Sequence, residues 1–410
     1  MNTLRINGER LLRRLWELGQ VGALEGGGVC RLALTDADRE GRDLVVRWMR
    51  ELGLTVTVDR IGNVVGLRAG RIEGPPVMTG SHIDTVATGG LYDGNLGVLA
   101  GLELIETLND TGIVTRHPLA VAFFTNEEGA RFAPDMMGSG VHQGALDLET
   151  CLSTVGIDGS TVAQDLTRIG YAGEVSTGDV RARAFVELHV EQGPVLEEAD
   201  IEIGAVTGVQ GISWTEYTIA GVSNHAGTTP MRLRHDAGYV AAAIATEARR
   251  IADETGGEQV ATSGVIELEP NLVNVIARRA KVTIDLRNTN EDTLQRAEAR
   301  MTQFVDALAQ AEGVEVSARQ LARFAPVDFD PKMIERVAQT AQALDYSMIR
   351  MPSGAGHDAQ MFAPNCPTAM VFVPSRDGLS HNVREHTEPA HLEAGANVLA
   401  QVLLAVAEAD

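Results

Sequence analysis

Five short motifs carrying metal-capable side chains stand where apolar runs give out: Gly80-Ser81-His82-Ile83-Asp84-Thr85, Tyr92-Asp93-Gly94, Asn126-Glu127-Glu128-Gly129, Glu187-Leu188-His189 and Leu379-Ser380-His381-Asn382. A chain punctuated in this way is constrained to a fold whose strand ends converge, because there loops far apart in sequence can share one site. The first half has the matching rhythm. A helix near 36–52 is followed by strands at Thr55–Asp59 and Asn63–Leu67, and then by a run at Val77–Thr79 that leads to His82. A helix over Leu96–Leu108 and a strand at Leu119–Thr125 lead on to Glu127 and Glu128. The alternation predicts an α/β domain with a mostly parallel central sheet flanked by helices.

Around residue 210 the pattern changes. A strand (Ser213–Ala220), a helix (Asp236–Glu254), two strands (Val260–Glu267 and Val275–Leu286), a helix (Glu291–Ala311) and a strand (Val314–Ser317) give the order βαββαβ, which suits an inserted two-layer domain. Beyond Gln320 the α/β character returns, with a helix near 331–344, strands at Met348–Met351 and Ala369–Val373, and a final helix at His391–Ala407. His381 follows the insertion and the other candidate ligands precede it. The catalytic domain is therefore expected to be discontinuous, residues 1–210 and 320–410, interrupted by 211–319.

Charge narrows the partners. A formal net charge of −22 disfavours nucleic acid, whose phosphates want a basic surface, and would repel an anionic substrate unless cations line the site. No stretch is expected to reach the ~20 apolar residues of a membrane span. Near the N-terminus, Arg5, Arg10, Arg13 and Arg14 among Leu11, Leu12, Leu15 and Trp16 have the spacing of an ordinary amphipathic helix. Cys30, Cys151 and Cys366 lie far apart, so neither a disulfide framework nor a thiolate zinc site is expected, and a reducing, cytoplasmic location fits.

His82 and Asp84, at i and i+2, share one face of an extended backbone. Asp84 is therefore expected to accept a hydrogen bond from the far nitrogen of His82 and fix its tautomer. Asp93, in a glycine-punctuated loop before a helix, reads by itself more readily as a turn residue or a helix cap than as a ligand. Glu127 and Glu128 would repel each other in a low-dielectric site unless a cation or a proton intervenes. One can then bind metal while the other, its pKa raised, serves as general base; a solvated acidic loop is the alternative. His189 and His381 both follow apolar strands, where a structural histidine is as common as a ligand.

Together with Gly89-Gly90-Leu91, Val190-Glu191-Gln192-Gly193-Pro194 and Gly354-Ala355-Gly356-His357-Asp358-Ala359, these motifs resemble the amidase, hydantoinase and carbamoylase branch of the dinuclear metallo-aminoacylase and peptidase superfamily, from about residue 60 to residue 390. The resemblance implies two divalent ions per subunit, Zn²⁺, Mn²⁺, Co²⁺ or Ni²⁺, which imidazole and carboxylate ligands do not tell apart. One would be held by His82, Asp93 and His189 and the other by Asp93, Glu128 and His381, with Asp93 bridging. Glu127 would be the general base, taking a proton from water and passing it to the departing nitrogen.

The resemblance further implies a homodimer in which His225, in Ser223-Asn224-His225-Ala226-Gly227-Thr228-Thr229-Pro230, reaches the neighbouring active site to stabilise the oxyanion. Asn274 and Arg287 would grip a substrate carboxylate, a task for which the planar fork of arginine is suited, although Asp285 competes for Arg287. Gln192 and His357 would line the pocket, and the inserted domain would act as a lid and dimerisation domain. The implied substrate is a small ureido carboxylate. Hydrolysis of an N-carbamoyl-L-amino acid to amino acid, carbon dioxide and ammonia comes first, beside allantoate, ureidoglycolate or β-ureido acid hydrolysis. An N-acyl amino acid deacylase, a peptidase or a non-catalytic binding protein stands further off.

His117, His142, His235 and His386 are expected at the surface or behind the site. The acidic stretch from Glu385 to Glu408 reads as a solvated helix face, and Met136-Met137 as packing. Gly26-Gly27-Gly28 has no phosphate-loop Lys or Ser in register, which argues against nucleotide binding.

Overall fold

Every residue of Val77–His82, Leu119–Phe124, Ala184–Val190 and Thr368–Val373 is buried. Strands covered on both faces belong in the middle of a parallel sheet with helices on either side, and that is what they form. The structure, a computed structural model, describes residues 4–410. They divide into two units, one running to Gly208 and resuming over Asp328–Asp410, the other Val209–Val327. In chain order the strands are β1 (Thr55–Val58), β2 (Val64–Arg68), β3 (Val77–His82), β4 (Leu119–Phe124), β5 (Ala184–Val190), β6 (Ile203–Val209), β7 (Gly211–Ala220), β8 (Val260–Thr262), β9 (Ile266–Glu269), β10 (Arg279–Asn288), β11 (Glu315–Phe324), β12 (Val327–Asp328), β13 (Met348–Ser353) and β14 (Thr368–Val373).

The first unit is built on a nine-stranded sheet of order β1-β2-β4-β3-β5-β14-β6-β12, with β13 on β6. Its middle is parallel: β3 pairs with β4 and β5, and β5 with β14. Outside this core β1–β2, β2–β4 and β14–β6 are antiparallel. Parallel neighbours finish at the same edge, so the loops after β3, β4, β5 and β14, which carry the sequence motifs, open side by side. The helix Asn95–Thr111 starts directly after Gly94 and is buried along most of its length, which fixes the loop before it.

The helix Pro389–Ala407 packs against β14, β5 and helix Asn95–Thr111. It corrects two expectations. It is long and apolar enough to cross a membrane by length and composition, yet two-thirds of it is buried inside this unit, as a core helix is. For the same reason it is no solvated acidic face; its apolar residues outnumber its acids.

The second unit is a two-layer sandwich. A five-stranded antiparallel sheet, β11-β7-β10-β8 with β9 also on β10, carries the helices Ala237–Thr255 and Glu291–Glu312 on one face. Ile219, Val240, Ile244, Val282 and Leu294 are fully buried between the layers. The strand expected over Val260–Glu267 is two, β8 and β9, interrupted at Ser263-Gly264-Val265. The strand expected from Val275 begins at Arg279, because the residues before it pair with the His225 loop: Ile276 N–H donates to Asn224 O (2.9 Å) and Ala226 N–H to Asn274 O (3.0 Å).

Candidate metal centre

The two carboxylate oxygens of Asp93 face different histidines. Oδ1 lies 3.5 Å from His82 Nε2 and 3.2 Å from His189 Nε2, and Oδ2 lies 3.4 Å from His381 Nε2. Glu128 Oε2 is 3.1 Å from the same nitrogen of His381. His82, Asp93 and His189 form one group whose donor atoms lie within 4.8 Å of one another, and Asp93, Glu128 and His381 form a second. Glu127 belongs to neither, although its Oε2 is 3.3 Å from His82 Nε2.

Local structure explains the convergence. His82 closes β3, His189 is the penultimate residue of β5, and Glu127 and Glu128 follow β4 through Asn126, whose φ of 56° is left-handed, a conformation asparagine tolerates. Gly94 has φ +67°, and a Cβ there would overlap the His82 ring, so only glycine lets the Asp93 loop come this close. His381, also at positive φ, is the one half-exposed ligand candidate.

Hydrogen bonds preset the imidazoles. His82 Nδ1 is 2.9 Å from Asp84 O, and His189 Nδ1 is 2.9 Å from Val190 O. A carbonyl only accepts, so Nδ1 carries a proton in both rings, which leaves Nε2, the nitrogen that faces Asp93, as the one that would turn to a cation. Glu128 Oε1 is buried and has no hydrogen-bond partner among the described residues. Oriented imidazole nitrogens, a shared carboxylate and an unpartnered carboxylate oxygen are a donor set that fits hard or borderline divalent cations.

The acids are strongly perturbed. Burial acts to raise the Asp93 carboxyl, but hydrogen bonds with His189, His381 and His82 hold it well below its usual range. Glu127 is pushed the other way, well up, by burial, with Asp358, Glu128 and Asp93 adding repulsion against the pull of His82. Hydrogen bonds with Asp93 and Glu128 lift His381 to about 10. A raised carboxyl beside an ionised one is the division of labour that acid–base chemistry needs.

Asp84 corrects one expectation. Its side chain does not hold His82; its backbone carbonyl does. The carboxylate instead accepts from Glu127 N (3.3 Å) and Glu128 N (3.4 Å), tying the acidic pair to the end of β3. β3 ends at His82, so the pairing of faces at i and i+2 that an extended strand imposes does not carry on to Asp84. Gln192 Nε2 donates to Asp93 Oδ2 (3.0 Å) and Ser380 Oγ (3.1 Å). His357, expected to line the pocket, is 1% exposed, with Nε2 2.8 Å from Ser353 Oγ and its ring 4.5 Å from that of His189. A cleft of about 840 Å³ elsewhere in this unit, lined by His142, Asp147 and Arg181 among others, contains none of these residues.

Two acids escaped the sequence reading. Glu385 is 5% exposed and accepts from Tyr92 N (3.0 Å) and Asp93 N (3.1 Å). Glu187, wholly buried, accepts from Ser81 Oγ (2.6 Å) and Ala359 N (2.8 Å). The only hint at Glu385 was its position in Ser380-His381-Asn382-Val383-Arg384-Glu385, ahead of the final helix rather than in it.

In the second unit, His225 is exposed and its Nδ1 accepts from Gly227 N (3.0 Å) and Thr228 N (3.2 Å), which puts its proton on Nε2. Asn274 sits in the turn just before Val275, which bridges to His225, and its carbonyl accepts from Ala226 N (3.0 Å). Arg287 is engaged by Asp285, with Nη2 2.9 Å from Oδ2, and lies over the Trp214 ring at 5.7 Å. The competing use of that guanidinium is therefore the one observed.

Residues 78–405 match the model of peptidase family M20/M25/M40. The chain is 41% identical over 405 residues to an N-carbamoyl-L-amino-acid amidohydrolase of Rhizobium meliloti, covering 98% of this chain and 97% of that one. It is 34% identical to an allantoate amidohydrolase of Bacillus subtilis, covering 95% of each. Its structure is similar to that of an amidase of the hydantoinase/carbamoylase family from Burkholderia multivorans, with a TM-score of 0.96, 46% identity and 99% of both chains covered.

Proposed function

From the premise that this chain belongs to peptidase family M20/M25/M40, we propose that it is a metal-dependent amidohydrolase that cleaves the ureido C–N bond of N-carbamoyl-L-amino acids. The observation that carries the reading is the split of Asp93 between two ligand groups with Glu127 beside them and in neither. We assign one divalent cation to His82, Asp93 and His189 and a second to Asp93, Glu128 and His381. Cations there supply Lewis acidity, polarising a carbonyl and making water easier to deprotonate.

The chain's own groups do the rest. Glu127, with its raised pKa, takes a proton from the attacking water and delivers it to the departing nitrogen, which leaves poorly as an anion. Asp84 holds the backbone of Glu127 and so aims its carboxylate. His225, with its proton on the outward Nε2, is suited to donate to an oxyanion, and we assign it to the site of a neighbouring subunit in a homodimer. Asn274 and Arg287 are assigned to the substrate carboxylate, for which Arg287 must exchange or share Asp285. The three unpaired cysteines support a reducing, cytoplasmic setting.

Allantoate is the second reading, favoured by the similarity to an allantoate amidohydrolase. Ammonia release by metal-reconstituted protein tests both, against N-carbamoyl-L-amino acids, N-carbamoyl-β-alanine, allantoate, ureidoglycolate and an N-acetyl amino acid. Chelator-sensitive turnover led by the N-carbamoyl-L-amino acids is expected. Preference for allantoate would move the substrate and keep the residue roles, and silence with every metal would sink the amidohydrolase reading.

A further inference from the structure

We propose that Glu385 is a positioning residue that locks the loop of Asp93 to the loop of His381, and so sets the affinity of the cation group Asp93–Glu128–His381 in particular. The inference rests on the metal assignment above and adds a residue to it. Glu385 Oε1 accepts from two successive backbone N–H groups, Tyr92 (3.0 Å) and Asp93 (3.1 Å), and Oε2 accepts from Ser380 Oγ (3.4 Å). Ser380 Oγ in turn lies 3.2 Å from Asp93 Oδ2, the oxygen that faces His381.

Chain geometry makes this an asymmetric device. Glu385 N–H bonds back to Asn382 O (2.9 Å), so the segment after His381 folds its acid toward the other loop. Gly90 supplies the room: a Cβ there would fall on the Glu385 carboxylate and its own Cβ. His82 and His189 sit in buried strands and are held by their neighbours' carbonyls. His381 is half exposed, on a loop, and has no such ladder. Its relation to Asp93 depends on the few tethers between the loops, of which Glu385 supplies two hydrogen bonds, Ser380 Oγ to Asp93 Oδ2 a third and Thr88 Oγ1 to His381 O (3.2 Å) a fourth.

The test is titration of metal-free protein with Co²⁺, followed by its absorption, with His381→Ala marking the step that belongs to the Asp93–Glu128–His381 group. Glu385→Ala is expected to weaken that step by ~10–100-fold, the usual effect of losing a group that orients a ligand, and to change the other step by less than about threefold. Glu385→Gln keeps a carbonyl oxygen for both N–H groups and is expected to recover most of the loss. Gly90→Ala displaces the carboxylate without altering it and should reproduce the alanine phenotype, which also covers the case in which Glu385→Ala does not fold. Unchanged titrations in Glu385→Ala, equal weakening of both steps, or normal binding by Gly90→Ala would each overturn the proposal. Wild-type protein that takes up no Co²⁺ in the His381-dependent step would overturn the metal assignment itself, and the proposal with it.

Discussion

Asp84→Asn separates a side chain that holds a ligand from one that holds a base. In the metal-free protein, burial, opposed by His82, raises the Asp84 carboxyl to about 6. A carboxyl moved there from its ordinary ~3.9 binds a proton more tightly folded than unfolded, so its ionisation costs the fold about 3 kcal/mol above pH 6. The cost is absent below about pH 4 and grows as pH rises through that window. Asn has no charge to desolvate. It keeps one oxygen for the N–H groups of Glu127 and Glu128 and gives up one hydrogen bond, worth about 1–1.5 kcal/mol. The metal-free variant is therefore expected to be more stable than wild type by about 1–2 kcal/mol at pH 7, with the advantage gone near pH 4. Urea unfolding in chelator at pH 7.5, 5.5 and 4.5 measures this. His82 donates to the Asp84 main-chain carbonyl, which the substitution leaves in place, so cation uptake at His82, Asp93 and His189 should persist. A variant that is less stable at pH 7 with no pH dependence, or that loses cation uptake there, refutes the reasoning.

Three further outcomes are expected. Glu127→Gln should lower ammonia release by ~10²–10⁴-fold with cation content unchanged, since Glu127 is in neither ligand group; loss of metal would move it among the ligands. Loading at pH 7.5 should expel at least one proton, because His381 stands at about 10 before a cation displaces its proton. Calorimetry in buffers of different ionisation enthalpy reads this, and buffer-independent heats would contradict it. Gly94→Ala should abolish cation uptake at His82, Asp93 and His189, since its Cβ would overlap the His82 ring; normal loading would show that the loop can yield.

The parallel core and the loops that carry the candidate ligands were legible because each motif directly follows an apolar run, and strand ends are local features of sequence. What escaped depends on contacts between distant residues. Glu385 meets Tyr92 and Asp93 from the far end of the chain, and its place just ahead of the final helix is the one local feature that sets it apart from the acids that follow. The pairing of Arg287 with Asp285 was visible as an alternative, since i and i+2 on a strand share a face, but composition could not choose between an internal acid and a substrate. Asp84 was assigned its role from spacing that holds only while the backbone stays extended, and β3 ends at His82. The break between β8 and β9 hides behind residues that each suit a strand.

β14 lies between β5 and β6 in the sheet, although it is made last, after the whole second unit. During synthesis β5 and β6 must therefore wait with an open lane between them. The chain between His189 and His381 takes a ribosome roughly 10–40 s at 5–20 residues per second. Through that interval the Asp93 carboxylate has His82, His189 and Glu128 but not His381, so the newborn chain can complete only one of the two candidate groups. Cation binding by the other group, as proposed, would consequently wait for residue 381, and a chain truncated between residues 190 and 380 carries the acids of the centre without the histidine that balances them.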